Sequence, residues 1–284
     1  MAALRITAPV ALAAALLPLG CSLLLSTPGD QCTVDADCAD LGSAFAGTVC
    51  IENTCQPKPP PPDPTWGCIG HVPVPEGGAM VEVTVQLLDL LTSMPVPGLT
   101  VQLCNKYDPP CASPLEIGLT PDAQGNVTVT VASDFEGYLL VEGAGYLNTL
   151  VFLDPLAQPK NEAVLIVSTS EEAGLASAAA VTLNPDGGLL IVRTANCEYD
   201  PSAGVSVTLA PSDMQTGFYV INNGLSTSAT QTDTSGNAGF VNVTPGTPTI
   251  TGTLGPGGEE LGQITTLVRA GSLTFQILRP TPTP

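Results

Sequence analysis

The chain has 284 residues, 44% of them hydrophobic and 12% charged, which supplies apolar side chains for two ordinary domains and excludes a disordered tail. Its 26 acidic and 7 basic residues leave a formal net charge of −19, which repels a phosphate backbone or an anionic lipid headgroup and excludes nucleic acid as a partner. Gly (29) and Pro (28) are abundant and Val and Thr recur in short runs, a mixture that favours short strands joined by turns and so a mainly β protein.

Residues 1–20 read as an export signal: Arg5 gives the start a positive charge, and Ile6 to Leu19 are almost wholly apolar. The segment ends in Leu-Pro-Leu-Gly-Cys, with Gly20 before Cys21, and this stretch resembles the lipobox of bacterial lipoproteins. That resemblance implies acylation of the Cys21 thiol, a lipid anchor in the cell envelope and, with Ser22 next, sorting to the outer membrane. An ordinary cleaved signal, or an uncleaved anchor running through Leu25, is the other reading of the same residues. Cysteine arithmetic supports acylation independently, because nine Cys is an odd number. Removing Cys21 leaves eight that can pair in an oxidising compartment: Cys32, Cys38, Cys50, Cys55, Cys68, Cys104, Cys111 and Cys197.

After a tether over 21–31, four Cys fall within residues 32–56, a segment with too little apolar surface to fold without two crosslinks. The spacing lacks paired Cys-x₂-Cys knuckles and contains no His, so disulfides are favoured over zinc. Asp35, Asp37 and Asp40 are a weak calcium candidate, since an EF-hand-like loop needs a Gly at its sixth position and a terminal Glu, both missing. With its Asp35-Ala36-Asp37-Cys38 run, the segment resembles small Cys-rich modules of bacterial surface proteins and the first Cys-rich region of Dickkopf proteins. The resemblance implies a binding or spacer knob. Residues 57–66, rich in Pro, form a semi-rigid polyproline linker.

From Met80 the pattern becomes period-2: Val81, Val83, Val85 and Leu87 alternate with Glu82, Thr84 and Gln86, as in a half-buried strand. Further strands are expected at 99–104, 126–131, 138–142 and 149–153, separated by turns such as Pro121 to Gly125. The second half repeats the first. PVPGLTVQL (95–103) is echoed by PSAGVSVTL (201–209), and the 120–126 turn by 232–237. The expectation is two tandem Ig/transthyretin-like β-sandwiches, over 67–157 and 186–279, with a connector over 158–185 and a tail over 280–284. One short helix opening at Ser170 sits in the connector. The repeated strand–turn–strand order, with Phe135-Glu136-Gly137-Tyr138 and Gly145-Tyr146, resembles the carboxypeptidase regulatory-like domains of the transthyretin-like group, which in turn resemble carbohydrate-binding-like folds. Gly125 and Gly236 are expected to supply the positive φ of hairpin turns, with Asp122 and Asp233 bonding nearby backbone N–H groups.

Cys104 and Cys111 enclose six residues and are expected to clamp a loop, which leaves Cys68 and Cys197 as a clasp between the domains. Four Cys still allow three connectivities. His71 is the single His, no Gly-x-Ser-x-Gly or HExxH occurs, and most carboxylates fall in turns, so neither catalytic residues nor a cofactor is expected. Asn126-Val-Thr and Asn242-Val-Thr match a glycosylation pattern but fall in expected strands. The leading expectation is a non-enzymatic, lipid-anchored surface protein with a structural, adhesive or protein-interaction role. The alternative is a carbohydrate- or peptidoglycan-binding module, for which the aromatic content of 4% is low. The expected partners are the membrane, through the acyl chains on Cys21, and an unidentified surface protein or glycan.

Overall fold

The computed structural model describes residues 31–45, 47–57, 65–255 and 258–282. The export signal, Cys21, nearly all of the tether, the proline run and the last two residues lie outside them. The protein is mainly β and divides into two units, one ending at Pro61 and the other running from Pro62.

In the first unit, helix α1 (Asp35–Asp40) and a 3₁₀ turn (Ser43–Phe45) precede a hairpin of β1 (Thr48–Ile51) and β2 (Thr54–Pro57). The helix corrects the expectation of a single helix in the chain. Six residues do not hold a helix alone in water; here Asp37 caps the start, its Oδ2 accepting from Thr33 N at 2.7 Å and Val34 N at 3.0 Å. Disulfides Cys32–Cys50 and Cys38–Cys55 then tie the helical segment to the hairpin. Glu52 and Asn53, at φ 48° and 60°, make the hairpin turn, the left-handed pair that matches strand twist.

The second unit opens with β3 (Met80–Asp89), β4 (Thr100–Asn105), β5 (Glu116–Leu119), β6 (Asn126–Ala132), β7 (Gly137–Glu142), β8 (Asn148–Leu153) and β9 (Lys160–Ile166). Helix α2 (Thr169–Ala178) follows. The second half contains β10 (Gly188–Thr194), β11 (Val205–Ala210), β12 (Thr216–Ile221), β13 (Gly224–Ser226), β14 (Asn237–Val243), β15 (Thr249–Leu254), β16 (Glu260–Thr265) and β17 (Ser272–Leu278). The α2 cap is Ser168 rather than Ser170: its hydroxyl accepts from Glu171 N at 3.2 Å, while Glu171 Oε2 accepts from Ser168 N at 2.5 Å.

The two halves repeat one topology. In the first, β6-β3-β9 faces β8-β7-β4-β5; in the second, β14-β10-β17, extended by β12 and β13, faces β11-β15-β16. In both, the first strand pairs antiparallel with one neighbour and parallel with the last strand of its half. The echoed segments PVPGLTVQL and PSAGVSVTL lead into the equivalent strands β4 and β11.

The sandwiches are joined edge to edge. β17 pairs in parallel with β8, so one sheet of each half merges into a nine-stranded sheet, β13-β12-β14-β10-β17-β8-β7-β4-β5. The two cores lie on opposite faces of this sheet. Alternation along β10 sends Leu190 and Val192 into the second core with Val205, Ile250 and Leu278, while Ile191 on the other face packs against the first core. Phe275 of β17 is buried in that first core with Val83 and Val151. β17 is covered on both faces and flanked by strands on both sides, which accounts for its nearly continuous burial.

The turns at Gly125 and Gly236 carry positive φ, 80° and 67°, but they are not hairpins. β5 pairs with β4 whereas β6 pairs with β3, so the first turn carries the chain from one sheet to the other. β13 and β14 share one sheet, and the second turn leads into β14 from Thr232, whose N–H donates to Val205 O and whose carbonyl accepts from Gly204 N at the start of β11. Asp122 Oδ1 accepts from Gln124 N and Asn126 N, both at 2.8 Å, and Asp233 Oδ1 from Ser235 N at 2.8 Å. Trp66 also departs from expectation. With Ile69 it packs on the second core, because Cys68 is bonded to Cys197 and Cys197 N donates to Thr65 O at 3.2 Å. Val72 bridges Pro282 at the other end of the unit.

Candidate functional site at the seam between the sandwiches

Five of the seven basic residues lie between 65 and 282: Lys106, Lys160, Arg193, Arg269 and Arg279. Lys106 pairs with Glu136 inside the first half, at 3.0 Å. The other four cross the seam. Arg193, next to last on β10, binds Glu162 of β9 through Nη1, which also donates to Ala163 O at 2.9 Å. Lys160 Nζ donates to Tyr199 O at 3.1 Å and lies 3.5 Å from Glu162 Oε2. Arg279 donates to Pro155 O at 2.6 Å. Arg269, in the loop before β17, donates to Pro109 O and, at 2.7 Å, to the Tyr138 hydroxyl.

Each of these cations also sits over an aromatic ring: Lys160 and Arg279 at 4.9 and 4.7 Å from Tyr199, Arg193 at 5.2 Å from Phe275, and Arg269 at 5.5 Å from Tyr138. Such contacts are worth about 0.5–1 kcal/mol each where exposed and more where water is excluded. Tyr199 has φ 68°, a conformation that costs a non-glycine residue about 1–3 kcal/mol. The surrounding bonds over-determine it: Asn196 Oδ1 accepts from Glu198 N and Asp200 N, both at 2.9 Å, and Lys160 holds the Tyr199 carbonyl.

Beside Tyr199, Asp154 follows β8 and meets Gln276 of β17, whose Nε2 donates to Oδ1 at 3.2 Å and Oδ2 at 3.0 Å. Burial pushes the Asp154 carboxyl up to about 6, against the pull of the Arg279 charge and the Gln276 amide. Among the described residues Gln276 Oε1 is buried with no hydrogen-bond partner. The cavity between these groups is about 30 Å³, room for water and not for a substrate.

The sequence-singled residues fall elsewhere. All eight described Cys are in disulfides: Cys32–Cys50, Cys38–Cys55, Cys68–Cys197 and Cys104–Cys111. The three sulfurs of Cys32, Cys38 and Cys55 lie close together but are oxidised and cannot ligate a metal as thiolates. Asp35 and Asp37 serve the backbone, Asp35 Oδ1 accepting from Cys50 N at 2.9 Å and Asp37 capping α1. Asp40 closes α1, and the three carboxylates do not gather into a ligand set. His71 is exposed, in a turn where its N–H bonds Cys68 O at 2.8 Å. Asn242, in the second glycosylation-like triplet, accepts from Asn184 N at 2.8 Å and donates to Thr182 O at 2.9 Å. Sequence reasoning passed over the four seam cations. Their scarcity in a chain of charge −19 was the available signal.

No family model matches the chain, and no curated protein is similar to it. Among solved structures, the TIE protein of Bacillus anthracis is 12% identical with a TM-score of 0.24, covering 71% of this chain, which spans 34% of that protein. The minor pilin of Streptococcus agalactiae is 16% identical, with a TM-score of 0.23, and covers 72% of this chain and 98% of its own. The shaft pilin of Lactobacillus rhamnosus GG is 14% identical, with a TM-score of 0.23, and covers 72% and 100%. Likeness at this level carries no inference of function.

Proposed function

We propose that this is a non-enzymatic cell-surface protein with a structural, adhesive or protein-interaction role, lipid-anchored in the outer membrane through acyl chains on Cys21. The observation that carries the non-enzymatic reading is the use made of its reactive groups. The eight described Cys are disulfide-bonded, and four cations brace one sandwich against the other, so the thiols and basic side chains hold the scaffold rigid. No helix among the described residues is long and apolar enough to cross a membrane, and two or three acyl chains on Cys21 would anchor the protein to a bilayer. For protein contact the unit offers β5, the end strand of the nine-stranded sheet, beside exposed Tyr107, Leu115 and Ile117. An open strand edge flanked by apolar side chains suits pairing with another chain.

The test is the intact mass of protein extracted from bacterial membranes, with free thiols alkylated before reduction. Residues 21–284 plus acyl chains, with no alkylated thiol, is the expected species, and Cys21→Ser should move the protein to the soluble fraction. A lipid-free mass overturns the anchor, and alkylated thiols in the native protein overturn the account of the cysteines.

A further inference from the structure

The stagger of the two sandwiches leaves part of the nine-stranded sheet covered differently from the rest. Over β10, β12 and β14, the face opposite the second core is roofed by the β3–β4 loop and by α2. The roof is held by Leu91 N, which donates to Glu171 Oε1 of α2 at 3.0 Å. Between roof and sheet runs a crevice of about 470 Å³. That volume lies within the ~300–1,000 Å³ typical of small-molecule sites.

Its walls are mostly apolar, with Leu90 and Leu175 from the roof and Ile191, Phe218, Val220 and Leu225 from the sheet, beside the polar Asn223, Ser235 and Asn237. Arg193 is the one charged residue lining it. Glu162 does not cancel that charge, because the same carboxylate is shared with Lys160. The Arg193–Glu162–Lys160 cluster therefore carries one net positive charge, with Arg193 its member on the crevice, in a protein whose net charge is −19. Arg193 Nη1 and Nε are engaged by Glu162, Ala163 and Asn237. A guanidinium carries further N–H donors beyond these.

We propose that this crevice is a binding site for a small amphiphile with an unbranched apolar body and a single carboxylate head, the head lying at Arg193 and the body along Ile191, Val220 and Leu225. This site is independent of the anchor and of the protein-contact role. Apolar burial supplies the affinity and Arg193 the polarity of binding: an anionic head is favoured, and a cationic one is repelled at close range.

The experiment is titration calorimetry of the full chain with dodecanoate below its micellar concentration. Decanoate and dodecyltrimethylammonium serve as comparison probes. Saturable binding at one dodecanoate per chain is expected, with decanoate roughly fifteenfold weaker at about fourfold per methylene. The trimethylammonium probe should show no saturable binding. Val220→Trp and Leu225→Trp, which fill the crevice, should abolish dodecanoate binding while leaving the melting curve in place. Absence of dodecanoate binding, equal binding of the cationic probe, or undiminished binding by folded filled variants each overturns the proposal. If neither filled variant folds, the comparison of head groups on the native chain decides.

Discussion

Phe275, three residues from the end of β17, is registered against Val151 of β8 and buried in the core of the sandwich to which its own strand does not belong. A side chain of the second half thus completes the interior of the first. Phe275→Ala removes a large ring from a packed site and should cost about 3–5 kcal/mol. Because the ring belongs to both halves, the protein should unfold in one step. Fluorescence of Trp66, which packs on the second core, and far-ultraviolet circular dichroism should report coincident denaturant transitions, before and after the substitution. A Trp66 transition displaced from the dichroism transition would show that the halves unfold independently.

The two disulfides of the second unit should differ in weight. Cys68–Cys197 closes 129 residues of chain and Cys104–Cys111 closes 7. By loop entropy alone the first is worth about 5 kcal/mol and the second about 2.5 kcal/mol. Replacing Cys68 and Cys197 together by Ser should lower the denaturation midpoint more than replacing Cys104 and Cys111. It should also release Trp66, seen as a red shift of its emission in the native state.

Asp154 should give stability an unusual pH dependence. Its pKa is raised in the folded protein to about 6, so the protonated, folded-state form is favoured at low pH. The contribution is fully present below about pH 4 and is lost as pH rises through 6, amounting to at most about 3 kcal/mol for a side chain that is only half-buried. Asp154→Asn keeps an acceptor for Gln276 Nε2 and removes the charge whose burial opposes ionisation. The variant should therefore exceed the wild type in melting temperature at pH 8 and match it near pH 4. A constant difference across that range would sink the assignment.

At the turns before β14 and β6, a Cβ on Gly236 would stand 2.5 Å from Thr194 O, and one on Gly125 would stand 2.7 Å from Leu87 O. These are equivalent contacts in the two repeats, since Thr194 N donates to Gly236 O and Leu87 N to Gly125 O. Gly236→Ala and Gly125→Ala should each destabilise by about 1–3 kcal/mol, from the positive φ and the close approach together. Chemical denaturation of the two variants would test both the size and the equivalence.

How far the sequence discloses this fold depends on the range of the interactions. β3 was legible because one of its faces is buried and the other is not, so Val81 to Leu87 alternate with polar residues. That eight Cys can pair followed from an even count once Cys21 was set aside, but which of Cys32, Cys38, Cys50 and Cys55 bond to one another did not. β9 fell in a stretch read as connector, since Lys160, Asn161 and Glu162 carry the polarity of a loop. Those residues are polar because two of them make the seam. The merger of the sheets was not legible, because β17 is apolar on both faces whether it meets a partner strand or an opposing sheet. The role of Arg193 and Arg279 was hidden for the same reason: a cation's partner lies in the other half, outside any local window. Gly125 and Gly236 announced turns, but a positive φ alone does not distinguish a hairpin from a link between strands that do not pair.

The bridge between Val72 and Pro282, with Cys68 bonded to Cys197, brings both ends of the second unit against the same sandwich. Tension applied at those ends would run from Cys68 through its disulfide to Cys197, three residues beyond β10, across the β10–β17 ladder and out at Pro282. The first sandwich lies off that line of force. It is held to the side of the loaded path by β8 and the seam cations, and its loops would keep their shape while the second sandwich takes the load.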